Sequence, residues 1–499
     1  MNVKKNIAVF MAVILLGGAL LSCKKDDPTP EIYTPETVEQ LDDSLLTDYT
    51  DDAEKLAYIE GLQNSFTVLS PTDAASFTVT ATETGVAVTG YVGSASEVRI
   101  PSEIEGKAVV RIADGAFSGN GVITRLYIPD SVTSIGANIL KGATALRALR
   151  TPLLGADAEG TQYLGYLFGG AKHENNAVTV PTTLEYLEIG GQAQRLADFA
   201  LFECDDLICV TLPATMKVLG TYSLYDCRKL TAINVDHLTA VEEHALDACS
   251  ALTRLDFGAS LTLIGRGALE GCVGLRRLRL PFVGGTATEN TYLGYIFGAA
   301  VPDFSGGYYP PYLSDIMLLD GCAMIGDYAF YECASLKFVS IPEGVASIGV
   351  RAFSGCVRMT AVWLPNSVAT IRENAFFGCL SMEQVLMGVT LSAIDAEGDQ
   401  QNSNTDNSLL TSIGVNAFYN CGTLRSIDLP RSLTVLPASC FAGCASLEVI
   451  ELGGVTQVGK NAFLHCNSLK RVTAQQTVTF EDGNEAAKKM LYGEGRGNA

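Results

Sequence analysis

One short motif recurs along this chain at a fixed step. The pair Ala-Phe occurs at residues 329–330, 352–353 and 375–376, and a cysteine follows three residues after each phenylalanine. Each unit then continues as Leu-x-x-Val-x-(Ile/Leu)-Pro, and the step from one unit to the next is 23 residues. A fixed period in the twenties that is rich in Leu and Ile predicts stacked coils, each of which buries its apolar side against its neighbours.

The Ala-Phe position can be followed through most of the chain. Equivalent pairs begin at residues 116, 139, 200, 223, 245, 268, 417, 440 and 462, in addition to the three above. The pattern therefore predicts an α/β-type repeat solenoid of the leucine-rich-repeat kind, with short parallel strands and about 12 coils of 22–23 residues plus insertions.

The unit Ile-Gly-x-x-Ala-Phe-x-x-Cys followed by Leu-x-x-(Val/Ile)-x-(Ile/Leu)-Pro resembles the BspA-like leucine-rich repeats of bacterial surface proteins. The resemblance covers roughly residues 76–474, including a lead-in segment at 86–107. It implies a cell-surface protein, because members of that family are discussed as adhesins and as binders of host proteins.

Charge and composition exclude some classes of partner. The chain of 499 residues carries a formal net charge of −21 and has a pI near 4.6, which argues against nucleic acid because that partner needs a basic face. The same charge disfavours adsorption to an anionic membrane by charge alone. Because 47% of the residues are hydrophobic, the composition is not that of a disordered chain.

Ten of the fourteen cysteines occupy one repeat position, from Cys204 to Cys466. Neighbouring coils lie about 4.8 Å apart, so these cysteines form a ladder rather than designed disulfide pairs. Cysteine is small, apolar and readily buried, and the spacing therefore favours reduced structural thiols. Metal binding by these thiols is disfavoured because no Cys-x-x-Cys spacing occurs.

The N-terminal residues resemble a targeting segment. Residues 1–22 combine two lysines with an apolar run, as in a lipoprotein signal peptide, and Leu-Leu-Ser before Cys23 resembles a bacterial lipobox. That resemblance implies lipidation of Cys23; an uncleaved membrane anchor is the alternative. The Lys-Lys-Asp-Asp sequence at 24–27 resembles the tag that sends lipoproteins of Bacteroidota to the outer face of the outer membrane.

Four further ranges follow the signal peptide. Residues 23–75 are predicted to be an acidic tether, either a solvated spacer or one or two short helices, and residues 76–110 a β-rich N-terminal cap. Residues 111–474 form the predicted solenoid, and residues 475–499 a tail with a last strand and a polar end.

The repeat is interrupted by insertions near 153–183, 282–312 and 389–411. The first two hold the same aromatic phrase, at 163–169 and 292–298, which either fills the core of an enlarged coil or forms a binding loop. The third holds the polar stretch 395–407, which is interpreted as a flexible loop; oxygen ligands at alternate positions also suit calcium, although the EF-hand spacing is absent.

A ligand is expected on the outward face of the stacked strands. In Leu-x-x-Val-x-(Ile/Leu)-Pro the residues on either side of the Val point outward, because side chains alternate along a strand. At these positions lie a basic stretch and an apolar stretch: Arg254, Arg277 and Arg279, then Met317, Phe338, Trp363 and Leu386. Asp256 lies beside the arginines. Exposed apolar patches are partner sites, unless an insertion folds over the patch and buries it.

No catalytic site is predicted. The four histidines are His173, His237, His244 and His465; His-Glu-x-x-His, Gly-x-Ser-x-Gly and the phosphate-binding Gly-x-x-x-x-Gly-Lys are absent from the sequence. We therefore expect no cofactor and no metal site. Two function classes remain: a lipid-anchored outer-membrane protein that binds a host or microbial protein or glycan, and a structural scaffold of an envelope assembly.

Overall fold

The computed structural model describes residues 53–157, 162–191, 193–387 and 408–493. The predicted signal peptide, Cys23, the residues up to 52 and the polar stretch 395–407 lie outside these ranges. In the described part of the chain, no helix combines the length and the apolar character that a bilayer-crossing segment needs.

The described residues hold thirty strands and four α-helices. The helices are α1 (Ala53–Gln63), α2 (Gly165–Phe168), α3 (Asn176–Thr179) and α4 (Glu485–Tyr492). The strands are β1 (Phe77–Ala81), β2 (Val86–Tyr91), β3 (Glu97–Arg99), β4 (Glu103–Ile104), β5 (Lys107–Ile112), β6 (Arg125–Tyr127), β7 (Ser134–Ile135), β8 (Ala148–Thr151), β9 (Tyr186–Ile189), β10 (Arg195–Leu196), β11 (Cys209–Thr211), β12 (Val218–Leu219), β13 (Ala232–Ile233), β14 (Ala240–Val241), β15 (Arg254–Asp256), β16 (Leu263–Ile264), β17 (Arg277–Leu280), β18 (Asp315–Leu318), β19 (Phe338–Ser340), β20 (Ser347–Ile348), β21 (Ala361–Leu364), β22 (Thr370–Ile371), β23 (Gln384–Met387), β24 (Ser412–Ile413), β25 (Ser426–Asp428), β26 (Val435–Leu436), β27 (Val449–Glu451), β28 (Gln457–Val458), β29 (Arg471–Thr473) and β30 (Thr479–Phe480).

Two ladders of parallel strands run through the coils. The first contains β3, β6, β8, β9, β11 and β13, then β15, β17, β18 and β19, then β21 with β23, and finally β25, β27 and β29. The second consists of two-residue strands, such as β10, β12, β14 and β16. Antiparallel pairing among the described strands joins β1 to β2 and β4 to β5, within the range predicted as the N-terminal cap. The predicted leucine-rich-repeat solenoid is confirmed.

From Phe330 to Phe441, the Ala-Phe position forms a seam of stacked rings. Phe330, Phe353, Phe376, Phe418 and Phe441 are fully buried, and consecutive ring centroids lie 5.0–5.3 Å apart. The glycine of Ile-Gly is required by the close approach of the coils, because a Cβ on Gly349 would lie 2.3 Å from the carbonyl of Gly326. The motif therefore encodes coil stacking residue by residue.

The cysteine ladder has a specific bonding role. The thirteen described cysteines are all buried and unpaired. Cys356 Sγ donates a hydrogen bond to the carbonyl of Phe330, and Cys379 Sγ donates to that of Phe353, each at 3.2 Å. Burial raises the pKa of Cys333 to about 12, so a thiol at this position stays protonated and acts as a donor. Eight of the ten ladder thiols donate in this way to a carbonyl of the preceding coil.

The structure has about 16 turns, more than the twelve predicted coils. The two aromatic phrases supply part of the difference, because each occupies an Ala-Phe position of its own. Leu140 N–H donates to the carbonyl of Leu167, and Leu164 N–H donates to that of Ala200, so the first phrase stacks between two ordinary coils. The phrase at 292–298 does the same through Ile296 and Leu293.

These phrases fill the core of enlarged coils, which is the first of the two interpretations given above. Leu164, Leu167 and Phe168 are buried, and Tyr163 directs its hydroxyl inward to donate to the carbonyl of Gly170 at 3.0 Å. Sequence counting missed both coils because they lie within insertions that break the 22–23-residue step.

The C-terminal range, predicted as a strand with a polar end, contains β30 and the helix α4. Asn484, 2% exposed, accepts a hydrogen bond from the N–H of Phe463 through its side chain, where another coil would offer a backbone carbonyl. Tyr492 donates to the carbonyl of Val478 and accepts from its N–H. The last coil is therefore capped by side chains of this range.

Candidate functional site

The predicted ligand surface lies on the first ladder. We use the name strand face for the outward side of its strands, formed by the residues that flank the buried central residue of each strand. On β19, for example, Val339 is buried and Phe338 and Ser340 flank it. The seven predicted residues all lie on this face, on β15, β17, β18, β19, β21 and β23.

Strand register divides these residues into two columns. Arg254, Arg277, Asp315 and Phe338 are cross-strand partners in the first column. In the second column Asp256 pairs with Arg279, Arg279 with Met317, and Trp363 with Leu386. The four apolar residues therefore do not form one straight row, because Phe338 stands one position before the buried residue and the other three stand one position after it.

An aromatic pair joins the two columns. The rings of Phe338 and Trp363 meet edge to face, with their centroids 5.8 Å apart and an interplanar angle of 77°. Both residues are partly exposed, as are Met317 and Leu386. The indole Nε1 of Trp363 is buried and has no hydrogen-bond partner in the described part of the chain. The pair thus presents apolar aromatic surface, of the kind that contributes strongly at protein interfaces.

The basic stretch is partly neutralised within the sheet. Arg254 Nε donates to Asp256 Oδ2 on its own strand. This pairing is consistent with the position of Asp256 beside the arginines in the sequence. Arg277 Nη2 lies 2.7 Å from Met317 Sδ, so its guanidinium packs against the start of the apolar stretch. The arginines and the apolar residues therefore form one continuous surface.

The same face is already a docking surface at its upstream end. In α1 and the turn after it, Ile59, Leu62 and Phe66 are buried against Tyr186 and its column neighbours Ala148 and Cys209. Phe66 lies 5.9 Å from both Tyr127 and Tyr186, edge-on to the first and stacked on the second. An apolar helical surface of this chain thus binds the outward side of β8, β9 and β11.

Polar contacts fix the position of this helix. Tyr58 donates to Glu185 Oε2 at 2.5 Å and accepts from Arg147 Nη2 at 3.0 Å. Arg147 in turn pairs with Glu185 at 2.7 Å. After the helix, Arg99 Nη1 donates to the carbonyl of Leu69 at 3.0 Å. The strand face therefore supports a polar rim around an apolar centre, as protein interfaces do.

This contact falls inside the range predicted as an acidic tether, of which residues 53–69 pack on the sheet. A sequence signal existed, since Ile59, Leu62 and Phe66 follow the i, i+3, i+7 spacing of one helix face. The insertion near 389–411 lies mostly outside the described residues, as does the candidate calcium stretch.

Comparison with known proteins gave one family match. The family described as BspA type leucine rich repeat region matches residues 92–153, 175–292, 323–404 and 398–484. The comparison with curated proteins found no match.

Solved structures with similar folds include two bacterial repeat proteins. A leucine-rich repeat protein from Bacteroides ovatus is 22% identical, covers 82% of this chain and 98% of its own, and gives a TM-score of 0.35. A leucine rich cell surface protein from Faecalibacterium prausnitzii is 20% identical, covers 86% of this chain and 98% of its own, and gives a TM-score of 0.30.

Proposed function

Because the chain belongs to the BspA-type leucine-rich-repeat family, we propose that it is a non-catalytic cell-surface protein whose strand face binds a protein or glycan partner. The observation that carries the proposal is the shared use of one face. Upstream, that face binds an apolar helix of the same chain through Tyr186; downstream, it presents Phe338 and Trp363.

The downstream surface has the composition of an interaction site. Trp, Tyr and Arg dominate the residues that contribute most binding energy at protein interfaces. Here a Trp-Phe pair adjoins Arg277 and Arg279, and the surface is rigid because the residues stand on hydrogen-bonded strands. Binding on such a surface requires little ordering of the protein, which lowers the cost of association.

We expect Trp363→Ala to weaken partner binding by at least about 2 kcal/mol, roughly thirtyfold, as for other central interface aromatics. The purified protein is tested on an array of immobilised extracellular-matrix proteins and microbial surface glycans, alongside Trp363→Ala and Arg277→Glu. The matched control is Phe377→Ala, which removes an aromatic residue that is 38% exposed and lies off the strand face.

Binding that survives Trp363→Ala and Arg277→Glu would place the site elsewhere. Absence of binding to every member of the array would favour the second function class, the envelope scaffold. That class predicts instead co-purification with envelope proteins that strand-face substitutions leave unchanged.

We further propose that Cys23 carries a lipid that anchors the protein in the outer membrane with the solenoid exposed. The support is the lipobox-like sequence before Cys23 and the Lys-Lys-Asp-Asp sequence after it. Mass spectrometry of the mature protein is expected to find Cys23 at the N-terminus with added acyl mass. An N-terminus upstream of Cys23 without added acyl mass would contradict the anchor.

A further inference from the structure

A cluster of metal-ligating groups lies away from the strand face, on two consecutive coils. His244 and Asp247 belong to one coil and Glu270 to the next. One donor atom from each of the three lies within 4.8 Å of the other two. His244 Nδ1 is 2.9 Å from Asp247 Oδ2 and 3.8 Å from Glu270 Oε2. The three side chains therefore converge on one point.

The imidazole is held in place by its neighbours. His244 stacks on Tyr222, with the ring centroids 4.8 Å apart and the planes 3° from parallel. The backbone of His244 is left-handed, with φ 53°. Tyr222 occupies the equivalent position in the preceding coil, and its N–H donates to the carbonyl of Glu243. The ring is thus oriented before any ion binds, which lowers the entropy cost of binding.

Two glycines pack closely against the cluster, where a larger residue would displace its side chains. A Cβ on Gly267 would lie 2.6 Å from His244 Cε1, and a Cβ on Gly298 would lie 2.5 Å from Glu270 Oε2. Both positions face the cluster from the following coils. The side chains of His244, Asp247 and Glu270 are 20%, 14% and 44% exposed, so the site is accessible from solvent on the Glu270 side.

The charges of the two carboxylates also favour binding of a cation. In the described part of the chain, the imidazole of His244 is the one basic group within ion-pair distance of Asp247 and of Glu270. A neutral imidazole with two carboxylates carries a charge of −2, which a divalent ion neutralises.

We propose that His244 Nδ1, Asp247 and Glu270 form a binding site for a divalent transition-metal cation of the zinc type. Zinc bonds of 2.0–2.2 Å in tetrahedral geometry place ligand atoms about 3.4 Å apart, between the two distances seen here. One nitrogen and two oxygen ligands suit zinc better than calcium or magnesium, and leave a fourth position for water. The ion would join two consecutive coils.

The experiment is a titration of the chelator-treated full chain with zinc chloride, followed by calorimetry, with cobalt as a spectroscopic probe. The proposal predicts one zinc per chain that is lost in His244→Ala and weakened at least tenfold in the isosteric Asp247→Asn and Glu270→Gln variants, since even second-shell changes cost 10–100-fold. Bound zinc is also expected to raise the Tm, because it binds the folded chain.

His173→Ala is the matched control. His173 stacks on Phe199, with the ring centroids 4.4 Å apart, in the same row of stacked rings. Removing it is expected to leave zinc affinity and stoichiometry unchanged. Absence of binding at millimolar zinc, or binding that is unchanged in Glu270→Gln and Asp247→Asn, would overturn the proposal. A loss of equal size in His173→Ala would do the same.

Discussion

Phe376→Ala is expected to destabilise the solenoid by about 3–5 kcal/mol, the range measured for buried phenylalanines. The ring is fully buried and stacks between Phe353 and Phe418 at centroid distances of 5.0 and 5.2 Å. Removing it opens a gap in the seam that adjacent rings cannot close, because their coils are fixed by the ladder hydrogen bonds. Urea unfolding followed by far-UV circular dichroism measures the loss.

The control for this variant is the next residue. Phe377→Ala also removes a phenyl ring, but Phe377 is 38% exposed and stacks on Tyr419 at the surface. Its cost is expected to stay below about 1.5 kcal/mol, the usual range for an aromatic pair. Because each coil contacts only its neighbours, hydrogen exchange in Phe376→Ala is expected to rise most in the adjoining coils. Equal losses for the two variants would mean that the seam does not carry the stability of the stack.

Phe66→Ala is expected to release α1 from the strand face. Phe66 is 4% exposed and its ring contacts both Tyr127 and Tyr186. Loss of a buried phenyl ring costs about 3–5 kcal/mol, which is large relative to what an isolated eleven-residue helix can sustain in water. Amide exchange of residues 53–63 is therefore expected to approach the rate of an unstructured peptide, while the strand amides of β8 and β9 stay protected.

Leu56→Ala serves as the comparison for α1, since Leu56 lies on the same helix and is 59% exposed. Its effect on exchange is expected to be small, because surface substitutions generally change stability by less than about 0.5 kcal/mol. If α1 remained equally protected in Phe66→Ala, the contacts of Phe66 would not be what holds the helix to the sheet.

The coil architecture is predictable from sequence because the repeat period specifies which residues stack on one another. Ala-Phe, the cysteine and the Leu-x-x-Val-x-Ile apolar positions each occupy one place in the stack, so one aligned coil predicts the rest. The coils at 163–168 and 292–297 escape the count because they lie within insertions that interrupt the 22–23-residue step. The helical cap at 485–492 escapes because its contact with the last coil depends on Asn484 and Tyr492, not on the repeat.

The surface is less predictable than the stack. Alternation along a strand places Trp363 and Phe338 on the outward side, but the two columns and the edge-to-face pair depend on strand register. The spacing of Ile59, Leu62 and Phe66 predicts an apolar side of α1, but the surface that this side covers depends on tertiary contacts. His244, Asp247 and Glu270 meet only because Glu270 stands on the following coil, and no short ligand motif reveals that arrangement.

The most direct test of binding on the strand face uses the single tryptophan of the chain. Trp363 lies within the proposed surface, so its fluorescence reports on that surface without a label when the partner itself contains no tryptophan. With a partner from the array at saturation, we predict that acrylamide quenching of Trp363 falls and its emission shifts. Quenching and emission that stay unchanged at saturation would contradict binding on this face.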